Sequence, residues 1–199
     1  MVTADSFEQT LQSVEKRMGL SLTLHDMAGA FHTPAGKPLF PHRRESHQKL
    51  PVCLNGFSNK CLDHCRYAVN ARAGRERESF VHFCWKGLQE VVVPIERDGE
   101  FLGSLFGGIW RHRQRRRMPY SPPLPRAAVE AYHQLDPFPK DQFDTLSSVL
   151  KIVAKGLVHM LDELHASHDQ PEAGAATRRA EIQRFLRARA TEPVRLTDL

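Results

Sequence analysis

The stretch of sequence that decides the fold is QEVVVPIERDGEFLGSLFGGIW, residues 89–110. It contains two apolar runs separated by RDGE at residues 97–100. Because Asp-Gly readily adopts the positive φ angles of a tight turn, this pattern predicts a β-hairpin. Gly103, Gly107 and Gly108 in the returning strand indicate a bulge, or a close approach by backbone or ligand.

The residues on the N-terminal side of the hairpin predict a helix followed by strands. Residues 5–18 carry apolar side chains at spacings of three and four, which is typical of an amphipathic helix. SLTLHD at residues 21–26 alternates apolar and polar side chains and predicts a strand. Residues 27–40 have room for a second strand before a Pro-Gly break, and residues 41–56 are predicted to be loop.

Helical and strand patterns continue through the rest of the chain. Residues 58–74 favour a helix that ends near Gly74, residues 79–85 favour a strand, and helices are predicted at residues 125–134 and 140–165. The last of these helices carries an apolar stripe, which is most often core and otherwise a dimerising or signal-transmitting surface. The whole pattern predicts an α+β fold, an antiparallel sheet flanked by helices with a C-terminal helical extension.

The size and composition of the chain exclude several classes of protein. A chain of 199 residues is typical of one globular domain. Its longest apolar run, at residues 91–95, is far shorter than the roughly 20 residues that cross a bilayer, and the N-terminus lacks the pattern of a signal peptide. These features predict a cytoplasmic protein with no membrane partner. In a reducing compartment, four cysteines are expected to be thiols or metal ligands rather than disulfides.

The excess of positive charge behind the net charge of +5 lies in two places. Five arginines between residues 111 and 117 contribute +5, residues 178–199 contribute +3, and the rest of the chain carries −3. A basic run beside prolines is most often a solvated loop, and this run has few of the aromatic residues that single-stranded nucleic-acid sites use. A uniformly basic nucleic-acid-binding surface is therefore excluded, and any such role belongs to the loop or the tail.

All four cysteines fall in one part of the chain, in the pattern C-x7-C-x3-C-x18-C formed by Cys53, Cys61, Cys65 and Cys84. The i, i+4 spacing of Cys61 and Cys65 places both thiols on one face of a helix, where they can reach a single ion. Soft sulfur ligands select Zn²⁺ or an iron–sulfur cluster over magnesium or calcium. These four residues are therefore the candidate metal ligands.

Two other interpretations of the cysteines remain open, because their spacing matches neither a standard zinc finger nor a ferredoxin. They can be inert buried thiols, or two of them can form a redox-reactive pair. His64 and His82 are alternative ligands if one thiolate is missing. Each histidine taken singly is more often a surface or core residue.

A larger pattern surrounds the cysteines. It consists of the spaced cysteines followed by FCWKGL at 83–88, VVPI at 92–95, GEFLG at 99–103 and the glycine pair at 107–108. This pattern resembles the PocR-type sensory domain over roughly residues 5–165. The family often has a histidine directly after the last cysteine, whereas this chain has Trp85. The resemblance implies a PAS-like or GAF-like fold over residues 1–167 that binds a small effector such as a short diol or another hydrocarbon derivative.

The end of the chain resembles a different family. Residues 168–177 have the composition of a linker, and residues 178–199 resemble the start of an AraC-type helix-turn-helix domain. The resemblance implies the sensor of a bacterial transcriptional regulator, with a homodimer as one expected assembly. Because a recognition helix must enter the major groove and these residues contain none, DNA binding is expected only through a complete C-terminal domain.

Four residues near the Gly-rich strand and the cysteines are candidate ligand-binding residues. They are Phe83, Trp85, Glu90 and Trp110. A concave sheet face can enclose a small ligand, and aromatic side chains with a few polar groups are typical of such pockets. The alternative interpretation is that Phe83 and Trp110 are core aromatics.

The leading function class is thus a sensory domain that is not an enzyme. The alternative is a metal- or thiol-dependent enzyme that uses a bound metal or a nucleophilic cysteine. Against the enzyme, the sequence has no phosphate-binding glycine loop and no His-Glu-x-x-His helix.

Overall fold

The computed structural model describes residues 2–114 and 122–168. Its α-helices are α1 (Ala4–Met18), α2 (Pro51–Asn55), α3 (Asn59–Leu62), α4 (Val69–Glu76), α5 (Arg126–His133) and α6 (Phe143–His168). Its strands are β1 (Ser21–Asp26), β2 (Phe80–Phe83), β3 (Leu88–Arg97) and β4 (Glu100–Arg111). Short 3₁₀ turns occur at His42–Glu45, His47–Lys49 and Lys140–Gln142, and a π-helical segment, Asp63–Ala68, joins α3 to α4.

The four strands form one antiparallel sheet in the order β1-β4-β3-β2. The predicted hairpin is β3–β4, in which Arg97 pairs with Glu100. The two residues between them, Asp98 and Gly99, have φ angles of 52° and 80°, as a tight turn with two positive φ angles requires. The predicted α+β fold, an antiparallel sheet flanked by helices, is confirmed.

Two glycines of β4 lie where a side chain would collide with its neighbours. A Cβ atom on Gly103 would lie 1.9 Å from the backbone oxygen of His25 in β1, and one on Gly107 would lie 2.7 Å from Cδ1 of Leu150 in α6. The register of β3 against β4 also shifts between residues 89 and 90, which is a β-bulge. Both the bulge and the close approach predicted for these glycines are present.

One face of the sheet is covered by α1 and α6. Phe7 and Leu11 of α1 pack with Leu150 of α6 and with Val91 of β3 in the largest buried cluster. The apolar stripe predicted for the last helix is therefore core. Ile152, on the opposite side of α6, is 70% exposed.

The other face of the sheet is covered by shorter helices. Val69 and Ala73 of α4 pack against the strands in one cluster. In a second cluster, Trp85 packs with Val52 of α2 and Tyr132 of α5. This helix layer leaves an internal space against the sheet, and the candidate site lies there.

The segment between β1 and α3 differs from the prediction. The second strand expected in residues 27–40 does not form, since only an isolated bridge joins His32 to Pro38 and the chain turns with positive φ at Gly29 and Gly36. Residues 41–56, predicted to be loop, contain two 3₁₀ turns and α2. Short helical turns of this kind carry too few apolar positions for periodicity to indicate them.

The helix predicted for residues 58–74 continues to Glu76. Arg77, with a φ angle of 57°, takes the left-handed conformation that ends the helix and that Gly74 was expected to supply. Gly74 instead allows close packing, because a Cβ atom there would lie 3.1 Å from Cδ1 of Phe101.

The structure tests only part of the predictions for the basic loop and the tail. Arg111, expected in an exposed loop, is the last residue of β4, and its Nε donates to the carbonyl of Leu135 at 2.8 Å. Residues 115–117 of the arginine run, the linker beyond His168 and the tail at 178–199 lie outside the described residues. Within the described residues, no helix combines the length and apolarity needed to span a bilayer.

Candidate functional site

A cavity of about 210 Å³ lies between the sheet and the segment that runs from the first 3₁₀ turn to the π-helical segment. The residues that line it are His25, His42, Glu45, Ser46, His47, Cys53, Phe57, Cys61, Leu62, Cys65, Arg66, Cys84, Lys86, Leu88 and Glu90. It thus combines charged groups, thiols and a few apolar side chains. We call it the thiol cavity.

Five of the eight candidate site residues meet in the thiol cavity, namely Glu90 and the four cysteines. Phe83 lies outside its lining, with its ring edge-on to His112 at 5.3 Å between centroids. Trp85 is 1% exposed within the apolar cluster beside α2 and α5. Trp110 packs edge-on against Phe138 at 5.4 Å and lines a second cavity, of about 480 Å³, on another part of the molecule.

The four sulfurs reach the cavity from different elements. Cys53 lies on α2, Cys61 on α3, Cys65 on the π-helical segment and Cys84 directly after β2. Cys65 and Cys84 lie close enough for each to shift the pKa of the other. The backbone N–H of Lys86 donates to Sγ of Cys84 at 3.3 Å. Cys84 is therefore held as a hydrogen-bond acceptor.

Lys86 is a buried ammonium among these thiols. Its side chain is 2% exposed, and its Nζ donates to Sγ of Cys61 at 2.9 Å. Burial alone would lower the pKa of Lys86, but the interactions with Cys53, Cys84 and Cys61 outweigh burial and raise it. The chain therefore supplies its own cation to the cysteine cluster. Sequence reasoning missed this residue, although FCWKGL placed it two residues after a candidate cysteine.

The thiols differ in their acidity because their surroundings differ. Burial raises the pKa of Cys53. The hydrogen bond to Cys84, together with burial, raises the pKa of Cys65. Burial alone would also raise the pKa of Cys84, but the hydrogen bond from Cys65 and the charge of Lys86 lower it to about 7. Among Cys53, Cys65 and Cys84, Cys84 is thus the thiol that carries negative charge most readily.

The cysteines do not form a recognisable metal centre. Among the side chains in residues 2–114 and 122–168, no group of three or more His, Cys, Asp or Glu is placed to hold a metal ion. His82, an alternative ligand, is buried on β2 opposite Glu90, and burial lowers the pKa of His82 to about 4. Zinc or an iron–sulfur cluster at these residues stays a prediction.

A histidine–carboxylate pair forms the part of the cavity next to the sheet. Nε2 of His47 lies 3.0 Å from Oε1 of Glu90. Burial alone would raise the pKa of Glu90, but His47, His82 and Lys86 together hold it below its usual value. The carboxylate is therefore ionised, buried and available to accept hydrogen bonds from a ligand.

His25 extends this polar wall along β1. Its ring lies edge-on to that of His47 at 5.4 Å between centroids, and Nδ2 of Asn70 donates to Nδ1 of His25 at 2.9 Å. Burial lowers the pKa of His25 well below its usual value. His25 is therefore neutral at physiological pH, and its uncharged ring lies beside that of His47.

The segment of residues 42–49, which supplies four of the lining residues, is fastened to the rest of the fold by Arg44. Its guanidinium contacts Glu8 and Glu15 of α1 at 2.6 Å each and donates to the carbonyl of Leu22 at 2.8 Å. Sequence reasoning gave these residues no role. Their dense histidine and arginine content, in HRRESHQK, was the available signal.

The chain matches the sensory domain found in PocR over residues 1–161. No curated protein and no solved structure is significantly similar to it, so the predicted PAS-like or GAF-like relationship stays a prediction. The match spans the sheet, all four cysteines and the last helix as far as residue 161. The part of the resemblance seen in the sequence around the cysteines and the hairpin is thus confirmed. On this match, the chain belongs to the PocR sensory domain family.

Proposed function

We propose that this sensory domain binds a small molecule in the thiol cavity. The observation that carries the proposal is the buried Glu90 carboxylate, which faces an internal space beside the Lys86 ammonium. Buried charged groups around a space large enough for several waters, or for one small molecule, are the usual feature of a ligand site. Membership of a sensory family supports a role in recognition without chemical conversion.

The lining favours a ligand that combines hydroxyl groups with a short hydrocarbon part. A hydroxyl can donate to Glu90 and accept from Lys86, because one is an anionic acceptor and the other a cationic donor. Phe57 and Leu62 line the same cavity and are 46% and 40% exposed, so they form an apolar rim at its opening. We propose a short diol or a related hydrocarbon derivative as the effector.

Within a longer regulator, ligand binding would have to reach other domains through the helices. Glu8 and Glu15 connect the cavity segment to α1 through Arg44, and α1 packs against α6. We propose that a bound effector shifts this α1–α6 layer in a cytoplasmic AraC-type regulator, which would bind DNA as a homodimer through a complete C-terminal domain. Neither DNA contact nor dimer contact is needed for the binding step itself.

The metal-binding proposal has its own test. Thiolates from Cys53, Cys61, Cys65 and Cys84 could hold Zn²⁺ or a cluster only if the Lys86 ammonium, 2.9 Å from Cys61 Sγ, moved away. Metal analysis and an absorption spectrum of protein purified without oxygen would identify either group. Colourless protein free of metal would end this proposal and leave the small-molecule site unaffected.

Isothermal titration calorimetry with ethanediol, the propanediols and the butanediols tests the site. Loss of a hydrogen bond to a charged group costs about 1.5–3 kcal/mol, so Glu90→Gln should weaken binding about tenfold or more. Glu130→Gln is the matched control, because Glu130 lies on α5 with its side chain 58% exposed and should bind as the wild type does. Equal affinity in Glu90→Gln would remove the thiol cavity as the site, and a panel without any binder would remove diols as its ligands.

A further inference from the structure

Arg66 is a cation of the thiol cavity that has no acidic partner in the part of the chain that the structure describes. The residue lines the cavity and is partly buried. Within residues 2–114 and 122–168, no carboxylate lies within ion-pair distance of the Arg66 guanidinium, and this group makes no hydrogen bond. Its N–H groups are therefore available as donors to a ligand.

The charged groups deeper in the cavity are engaged within the protein. The Lys86 ammonium donates to Sγ of Cys61 at 2.9 Å, and Oε1 of Glu90 lies 3.0 Å from Nε2 of His47. A ligand that met only these groups would have to share them with their present partners. Arg66 differs from them, because an anion could pair with it without displacing a protein group.

The backbone that carries Arg66 is fixed against the polar wall of the cavity. Arg66 lies on the π-helical segment, Asp63–Ala68, and such segments occur frequently at functional sites. Nδ2 of Asn70 donates to the carbonyl of Arg66 at 2.6 Å and to Nδ1 of His25 at 2.9 Å. Asn70 is 2% exposed, so one buried amide ties the position of Arg66 to that of a lining residue on β1.

The chemistry of a guanidinium selects the kind of anion. Its planar set of donors matches the two oxygens of a carboxylate, and such charge-assisted pairs are stronger than neutral hydrogen bonds. A phosphate carries a charge of about −1.5 to −2 at neutral pH and would be repelled more strongly by the Glu90 carboxylate, which lines the same cavity. A singly charged carboxylate is therefore the favoured partner of Arg66.

We propose that Arg66 is a carboxylate-binding residue of the thiol cavity, so that a short-chain hydroxy acid binds there more tightly than the diol with the same carbon skeleton. The inference rests on the proposed function, since the hydroxyl group of the acid uses the same Glu90 and Lys86 as a diol does. It adds a second recognition element and names a ligand class with one hydroxyl and one carboxylate.

Isothermal titration calorimetry with matched pairs of ligands tests the proposal. The pairs are lactate with the vicinal propanediol, β-hydroxypropionate with the terminal propanediol, and γ-hydroxybutyrate with the terminal butanediol. Each acid differs from its diol only in a carboxylate that replaces one hydroxymethyl group, and the three pairs vary the spacing between the two polar ends. We expect at least one acid to bind about tenfold or more tightly than its diol, as a charge-assisted hydrogen bond allows.

Propionate is the control ligand, because it has the carboxylate of lactate and no hydroxyl group. It should bind more weakly than lactate if Glu90 and Arg66 act on opposite ends of one molecule. Propionate that binds as tightly as the best hydroxy acid would overturn the assigned ligand class.

Three variants assign the preference to one side chain. Arg66→Gln should remove the preference for the acid over its diol, and Arg66→Lys should retain part of it, because lysine keeps the charge and loses the planar set of donors. Arg75→Gln is the matched control, since the Arg75 side chain is 71% exposed on α4, and it should keep the wild-type preference. Far-UV circular dichroism establishes that each variant is folded.

The outcomes separate this inference from the proposed function. Diols that bind while no acid binds more tightly than its diol would overturn the role of Arg66 and leave the diol site intact. A wild-type preference in folded Arg66→Gln, or an equal loss of preference in Arg75→Gln, would also overturn it. If neither acids nor diols bind, both the inference and the proposed ligand class are wrong.

Discussion

Replacement of Arg44 by methionine should destabilise the domain strongly. Arg44 is 4% exposed and pairs with Glu8 and Glu15, whose side chains are 16% and 20% exposed. Removing one partner of a buried ion pair costs about 3–5 kcal/mol. Because both carboxylates retain some contact with water, we expect the free energy of unfolding to fall by about 2–4 kcal/mol.

The neighbouring residue provides a matched control. Arg43 lies 3.9 Å from Glu8, and its side chain is 69% exposed, so Arg43→Met should change the free energy of unfolding by less than about 0.5 kcal/mol. Urea denaturation followed by circular dichroism measures both variants. If Arg44→Met unfolds within about 0.5 kcal/mol of the wild type, or if Arg43→Met loses as much, the anchoring role assigned to Arg44 is wrong.

The pH dependence of stability gives the same prediction a second readout. Burial alone would raise the pKa of Glu8 and of Glu15, but hydrogen bonds from Arg44 and its charge lower both. A carboxylate with a lowered folded-state pKa stabilises the fold above its unfolded pKa, and this stability is lost as the pH falls through the folded pKa. Stability of the wild type should therefore decline below about pH 4.3, the usual value for glutamate. Arg44→Met should show a smaller decline over that range, and an unchanged decline would contradict the assignment.

Four further substitutions, in two matched pairs, test the core and the close approaches in the sheet. Leu150→Ala should lower the free energy of unfolding by about 2–5 kcal/mol, because the side chain is fully buried against the sheet. Its control is Ile152→Ala, at a position 70% exposed on the same helix, which should change the free energy of unfolding by less than about 0.5 kcal/mol. Thermal melts that rank the two variants in reverse would contradict the packing. Gly103→Ala should prevent correct pairing of β1 with β4, since its Cβ would lie 1.9 Å from the His25 carbonyl oxygen. Its control is Gly156→Ala, with no atom within 4 Å of the new Cβ, which should stabilise α6 by about 0.5–1 kcal/mol. A well-folded Gly103→Ala in urea titration would refute the close approach.

The regular elements could be predicted because their signals are local. The Asp98-Gly99 turn requires only two adjacent residues with positive φ. The helices α1 and α6 carry long apolar periodicities, and their observed bounds agree closely with the prediction. The turn His42–Glu45 could not be predicted, because it is held by distant partners such as Glu8, which Arg44 contacts across a sequence separation of 36.

The candidate site could be predicted in part for the same reason. The spacing of Cys61 and Cys65 indicated a shared helix face, and all four cysteines do line one cavity. The cation that accompanies them is Lys86, whose burial among thiols depends on how α3 packs against the turn after β2. The pairing of His47 with Glu90 likewise joins a 3₁₀ turn to a strand, and no local pattern indicates it.

The most direct test of the central claim is the location of a bound diol by NMR. Backbone and side-chain resonances of the isotope-labelled domain would be followed as the tightest-binding diol of the calorimetry panel is added. The account predicts shift changes concentrated at His25, Lys86 and Glu90, which line the thiol cavity. Changes concentrated instead around Trp110, in the second cavity, or spread weakly over the surface, would contradict it.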